Sequence, residues 1–549
     1  MEQTEHNPLR DLFSIHLDMN IKTIKEILGD SVDLVKRDFV FHYENEIKAT
    51  CFFTDGLVNT QVVEKVIEFL AIKTKETFSN DFNHNNPLST EEIIKHLLIN
   101  PSIKVIKVME DGIDGILSGD TLILFDGSNE PLLLSSRGFD ARSVSEPATE
   151  QVVRGPRDGF TENIRTNTAL VRRRIRHHNF RIDSLKIGAK SKTDVNIAYI
   201  KGVVKEGLVE EVKSRLQKIS IDTIIESGYI EELIEDAPYS PFTTVQSTER
   251  PDKVCAELCE GKVAIFVDNT PFVLIVPTYF WQFLQASDDY YAKFYTGSFF
   301  RLLRYFAFII SLTLPSIYVM LASFHQEMIP TPLALTIASG REVIPFPVLL
   351  EAFIMEISFE LMREAGLRMP KPVGQAVSIV GSLIIGQAAV QAGMVSPFMV
   401  IVVAITGISS FAIPNYAASF SIRLIRFPLL IASGTLGLLG FAAAFSIIAI
   451  HALSIRSFGE SYLAPATPFQ PSDQKDLIFR FPWWKMDKQP QLAEGSEERV
   501  GENSLPSPVE QSPMNNEQNI EKDEKDNQKP EKKERKKPTF RKIGRKQKE

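Results

Sequence analysis

Between Tyr305 and Phe324 the chain runs without a charged residue, bounded by Arg304 and His325, and no other feature restricts its fold as strongly. As a helix this stretch rises about 30 Å, the thickness of a bilayer's hydrocarbon core, so it predicts a membrane span. Val373 to Met394, Val395 to Ala418 and Phe427 to Leu453 are also uncharged until His451 and long enough to cross, with Pro397 and Pro414 near the ends of the middle stretch. A fifth segment, Val343 to Met362, is apolar over much of its circumference yet carries Glu351, Glu356 and Glu360, followed by Glu364. Glu356, Glu360 and Glu364 recur every four residues and form one polar stripe, which has to face other helices, water or the membrane interface.

The basic clusters Arg301 and Arg304, then Arg363, Arg368 and Lys371, then Arg423 and Arg426, bear on orientation. Five crossings put all three on the cytoplasmic side, together with the large N-terminal region, and leave the C-terminal tail outside. A re-entrant Glu-bearing segment is the alternative. On the third span Gly374, Ser378, Ser382 and Gly386 fall four apart with Gln375 beside them. That stripe has two readings, close helix packing or a water-lined face brought together by several subunits. Gly434, Gly437 and Gly440 on the last span read as packing positions.

The region before the spans reads as two related α/β modules, residues 1–150 and 151–285. Gly56-Leu57-Val58 through Leu70 matches Gly202-Val203-Val204 through Leu216, each after a short β-prone run, Phe52-Phe53 or Ala198-Tyr199-Ile200. Gly119 to Asp126 pairs with Gly261 to Asp268 at nearly the same offset, so the pattern of strand, glycine turn and amphipathic helix occurs twice. The expected fold class is thus an α+β soluble region of two related α/β subdomains, followed by an all-α polytopic membrane domain of about five helices over 286–460. A membrane-proximal segment over 461–490 follows, in which Trp483 and Trp484 beside Phe479 and Phe481 fit an interface anchor. Residues 491–549, acidic and then basic with almost nothing apolar, read as a disordered tail.

Net charge of −8 argues against nucleic acid as a partner. Cys51, Cys255 and Cys259 have no framework spacing, and the charged first thirty residues lack the apolar core of a signal peptide. No nucleophile with its base and no metal-ligand cluster stands out, and His177-His178 sit among arginines, so no enzyme, cofactor or metal site is expected. Arg154 and Arg157 in a Gly-Pro turn, with Arg172 and Arg173 on the helix after it, suit an anion, or else pair with acidic groups such as Glu231, Glu232, Glu235 and Asp236 across an interface.

Several motifs in order resemble the A subunits of GerA-type spore germinant receptors. They are Val153-Arg154-Gly155-Pro156, Asn167 with Arg172 and Arg173, Ser240-Pro241-Phe242, Thr248-Glu249-Arg250-Pro251-Asp252, Ser287-Asp288-Asp289-Tyr290-Tyr291, and Phe346-Pro347 through Glu351, Met355-Glu356, Glu360-Leu361, Arg363-Glu364-Ala365-Gly366 and Pro370. The resemblance covers roughly residues 150–485, and the charged tail departs from it. It implies a multi-pass protein of the spore inner membrane that works with a permease-like B subunit, which binds the nutrient, and a C-subunit lipoprotein. It further implies a homo-oligomer in membrane lipid that signals nutrient binding by opening a cation path. Glu351, Glu356, Glu360, Gln375, Ser378, Ser382 and Gly386 are then the pore or gating candidates. A secondary transporter is the rival; it calls for paired repeats of broken helices, which the sequence does not display.

Overall fold

The β-prone runs and their glycines build two sheets of one design. In the computed structural model, residues 8–42, 46–68, 70–71, 103–138, 146–147, 149–369, 386–486, 488–490, 492–493 and 499 are described. The first sheet takes β1 (Leu34–His42), β2 (Glu46–Thr54), β3 (Ile103–Val105), β4 (Thr121–Phe125) and β5 (Leu132–Leu134), with helices α1 (Leu17–Leu28), α2 (Thr60–Glu68) and α3 (Met109–Leu117). The second takes β6 (Phe180–Ile187), β7 (Thr193–Ile200), β8 (Gln246–Thr248), β9 (Val263–Val267) and β10 (Val273–Val276), with α4 (Ile164–Arg172), α5 (Leu208–Lys218), α6 (Ser227–Ile234) and α7 (Pro251–Cys259). Their strand orders, β1-β2-β4-β5-β3 and β6-β7-β9-β10-β8, are the same, and every neighbouring pair is antiparallel.

Alternation along β7 explains the layering, since successive side chains leave a strand on opposite faces. Val195 and Ile197 pack with Val212 and Leu216 of α5, whereas Ala198 and Ile200 pack with Leu170 of α4 and Val254 of α7. On β2, Cys51 and Phe53 likewise meet Val63 of α2, and Phe52 meets Ile113 of α3. Gly56 and Gly202, which end β2 and β7, hold φ of 79° and 85°, a left-handed turn that glycine enters at little cost.

A short helix α8 (Asp288–Tyr291) leads into the helical block: α9 (Phe294–Ser323), α10 (Thr331–Arg341), α11 (Val348–Arg368), α12 (Pro397–Phe411) and α13 (Tyr416–Ser454). Among the described residues α9 and α13 are long and apolar enough to cross a membrane. The first expected span, Tyr305 to Phe324, coincides with the apolar part of α9, and the Glu-bearing segment is α11.

The later spans differ from expectation. Val395 to Ala418 is not one helix: α12 ends at Phe411, Pro414 lacks the N–H to continue, and the Asn415 side chain caps α13 by accepting from Ala418 N at 3.0 Å. Phe427 to Leu453 is not one straight crossing either. Gly437 takes φ 63° and ψ −137°, and a Cβ on Gly440 would lie 2.0 Å from the carbonyl oxygen of Ala432. Eight residues of straight helix would separate those positions by about 12 Å. The arms 416–436 and 438–454 therefore double back on each other, with Gly437 against Phe324 and Leu438 N donating to His325 Nε2 at 3.1 Å, at the end of α9. Sequence reasoning took Gly437 for a packing residue, whereas it reverses the chain. Of the third expected span, residues 373–385 lie outside the described residues, and 386–391 are helical.

Beyond α13 the chain returns to the second module. β11 (Arg456–Ser457) and β12 (Glu460–Ser461) form a small hairpin, Phe458 joins the core beneath β7, and Ser457 Oγ donates to Thr244 O at 2.7 Å. Tail residues beyond 499 lie outside the described set.

Candidate functional site

The polar stripe of α11 meets its partner on the first arm of α13. Two helices running antiparallel at close range pair positions whose numbers sum to a nearly constant value, and four contacts along these two helices do so. Leu349 packs on Gly434, where a Cβ would meet it at 2.6 Å; the Phe353 and Phe427 rings lie 5.6 Å apart; Glu356 pairs with Arg426; and Glu360 Oε2 accepts from Arg423 Nη1 at 2.7 Å. Glutamates four apart on one helix and arginines three apart on the other both fall on single faces, which makes the double pairing geometrically natural. Both partners of the Glu356–Arg426 pair are about 1–2 % exposed.

Glu351 serves a different junction. Its Oε1 accepts from Ser396 N and Ser396 Oγ, both at 2.6 Å, and its Oε2 from Arg341 Nη1 at 2.9 Å, so one buried carboxylate joins α10, α11 and the start of α12. Glu364 is exposed and pairs with Arg368 at 2.6 Å, one turn along its own helix. Arg363 rests its guanidinium 4.5 Å from the Phe411 ring centroid. Gly386 is helical near Val400, while Gln375, Ser378 and Ser382 lie outside the described residues. Arginine was thus the missing half of the site: Arg341, Arg423 and Arg426 neutralise three carboxylates of α11, for which sequence reasoning required helices, water or the interface as shelter but named no cation. Counting Arg423 and Arg426 as boundary markers hid this, although their three-residue spacing in a stretch otherwise without charge from Val373 to Ile450 was the available signal.

A second charge cluster fixes the start of α9. Arg301 Nη1 donates to Asp476 Oδ1 at 2.7 Å and its Nε to Asp289 Oδ2 at 3.2 Å; Arg304 pairs with Asp289 and donates to Leu284 O at 2.6 Å. Tyr290 OH closes the cluster on Asp476 Oδ2 at 2.7 Å. Burial first, then the Asp476 charge, raises the Tyr290 phenol well above its ordinary range, so it stays a donor. A cavity of about 470 Å³ adjoins this cluster, walled by Asp252, Glu257, Trp281, Tyr290 and Trp483 among others.

The arginines read as anion or interface candidates divide. Arg172 is buried and joins the two modules: Nε and Nη2 grip Asp33 at 2.7 and 3.0 Å, Nη2 also reaches Ser31 Oγ, and Nη1 donates to Phe180 O at 3.0 Å. Arg173 pairs with Asp158 at 3.0 Å. Arg154 and Arg157 are exposed. Asp33 and Asp158 are therefore the acidic partners, in place of the expected Glu231, Glu232, Glu235 and Asp236. Asp236 instead pairs with Arg215 at 2.8 Å. Burial, then the charges of Glu235 and Glu226, push the Glu231 carboxyl up to about 7.

Comparison with known proteins adds a separate line of evidence. Residues 22–492 match the family described as Bacillus/Clostridium GerA spore germination protein. The chain is 42 % identical over 510 residues to spore germination protein KA of Bacillus subtilis, covering 92 % of each protein. It is also 42 % identical over 492 residues to the membrane protein YfkQ of the same organism, covering 89 % of this chain and 93 % of that one. Among solved structures, the N-terminal domain of the A subunit of the Bacillus megaterium spore germinant receptor GerK3 is 36 % identical, with a TM-score of 0.40, and covers 49 % of this chain and 98 % of that one.

Proposed function

The chain belongs to the Bacillus/Clostridium GerA family of spore germination proteins, and from that premise we propose that it is the A subunit of a germinant receptor, passing nutrient binding to a cation path across the spore inner membrane. It works beside a permease-like B subunit and a lipoprotein C subunit. A single copy has too few helices to enclose a wide aqueous route, so conduction requires several copies around a common axis. No step of this role requires an enzyme's chemistry.

The observation that carries the proposal is the ladder. Unpaired charge at membrane depth is costly, and pairing with Arg423 and Arg426 lets Glu356 and Glu360 occupy it. These paired carboxylates are gating elements more than a cation lining, because a neutralised carboxylate offers little attraction to a passing ion. Both α9 and the second arm of α13 meet the second module at their module-side ends, so the number of crossings is even. The tail then lies on the module side, in place of the outside location that five crossings give. With arginines gathered at that end, it is the cytoplasmic side.

Spores carrying Glu356→Gln or Glu360→Gln are expected to hold wild-type amounts of protein while their potassium release on germinant addition changes about tenfold, a barrier shift of about 1.4 kcal/mol. Unchanged release in both removes the ladder from gating. Isolation of a lone monomer from the membrane removes the channel.

A further inference from the structure

α9 has 30 residues, about 45 Å of helix, and so exceeds a hydrocarbon core of about 30 Å by roughly 15 Å. Its uncharged part, 305–323, accounts for about 28 Å of that core, which leaves 294–304 at headgroup depth. In those first turns Phe294, Tyr295, Phe299 and Phe300 are exposed. Alongside runs the membrane-proximal segment. Tyr305 OH donates to Leu477 O at 3.0 Å, Ser298 Oγ donates to Arg480 O at 3.0 Å, and the Trp484 ring stands edge-on to Phe294 at 6.1 Å.

This segment is inside out for a loop in water. Arg480 is buried, its Nη1 donating to Asp289 O and Ala292 O at 2.8 and 2.9 Å, while Ile478, Phe479, Phe481, Trp483 and Trp484 are exposed. With the α9 aromatics they form an apolar and aromatic surface that follows α9 from Tyr305 back to Phe294, and Lys475 and Lys485 lie at its polar edge, joined by a bond from Lys475 Nζ to Lys485 O at 3.0 Å. Indole and phenol rings favour the boundary between headgroups and hydrocarbon, where an apolar body and a polar tip are both accommodated.

We propose that residues 477–485 are seated in the headgroup layer of the bilayer on the module side, where they clamp the first turns of α9 and hold Asp476 against Arg301. The inference rests on the membrane-spanning reading of α9. Lipid is the occupant because the surface continues directly into the exposed flank of that helix, at Leu302, Leu303 and Phe306.

The chain's three tryptophans make a test direct: Trp483 and Trp484 lie on this surface, and Trp281 is half-buried against Phe280 and Tyr305. The full chain is placed in nanodiscs of phosphatidylcholine brominated either near the headgroup or deep in the acyl chains. In Trp281→Phe, headgroup-side bromine is expected to quench emission at least about twofold, and deeper bromine less, as interfacial indoles demand. In Trp483→Phe/Trp484→Phe, where Trp281 alone emits, both lipids leave emission nearly unchanged. Ile309→Trp in a background with the other three replaced by Phe reports on α9 itself and is expected to respond to deep bromine. Quenching of Ile309→Trp without quenching of Trp483 and Trp484 overturns the clamp while leaving α9 in the membrane; absence of both overturns the two together. A blue-shifted but unquenched Trp483 and Trp484 also overturns it, since another protein then covers the surface.

Discussion

In the α/β half, Arg172 commits Nε, Nη1 and Nη2 to Asp33, Ser31 and Phe180 O; in the helical half, Arg426 makes its pair with Glu356 through Nη1, and its Nε and Nη2 find no acceptor among the described residues. Glu356 Oε1, Glu360 Oε1 and Arg423 Nη2 are in the same condition. The difference is physical. A saturated pair has nothing to gain by moving, whereas an unsaturated one retains donors and acceptors that a shifted helix, a second copy or water satisfies at little added cost. One joint is therefore cement between modules, and the other has the chemistry of an element with two arrangements.

The largest effect is expected from Arg172→Ala, which strands Asp33 and Ser31 inside the module interface and costs about 3–5 kcal/mol. Thermal unfolding of the full chain in detergent measures it, and a loss no larger than that of an exposed pair would erase the contrast. Next comes a double-mutant cycle of Glu356→Gln and Arg426→Gln in nanodiscs, with an expected coupling of about 1–2 kcal/mol, below that of the same cycle on Asp33 and Arg172. Coupling equal at the two sites would mean that the missing hydrogen bonds do not loosen the ladder.

The smallest effect sharpens the comparison by showing what a carboxylate with no ion-pair partner among the described residues does in the α/β half. Glu231 is raised from 4.5 to about 7, mainly by burial, so the folded chain holds its proton more tightly than the unfolded chain. Stability from this group is fully present below about pH 4.5 and lost as pH rises through about 7. Glu231→Gln should thus melt together with wild type at low pH and above it at neutral and alkaline pH. Parallel curves at every pH would show that the site is already ionised without penalty.

Much of this architecture was legible before any coordinates. Apolar length marks Tyr305 to Phe324 because the bilayer's thickness leaves few alternatives, and β-prone runs each ended by a glycine turn mark β2 and β7. Misreadings came where a local signal had two uses. Gly437 looks like Gly434 in sequence, yet Gly434 makes room for Leu349 while Gly437 adopts a left-handed conformation and turns the chain. Arg423 and Arg426 look like a cytoplasmic flank, yet they face Glu360 and Glu356 across a helix pair. Asp289 and Asp476 are almost 190 residues apart, and nothing local tells that they share Arg301.

By itself the sequence determined which segments avoid water, where glycine turns end β2 and β7, and that carboxylates on α11 need shelter, since each follows from the free energy of one residue or one helical face. Tertiary structure alone decided which arginine shelters which glutamate, that α13 folds on itself, and that the chain returns to the second module. Those outcomes depend on distances between residues remote along the chain, and pairing across space is set by how all the packed surfaces fit at once.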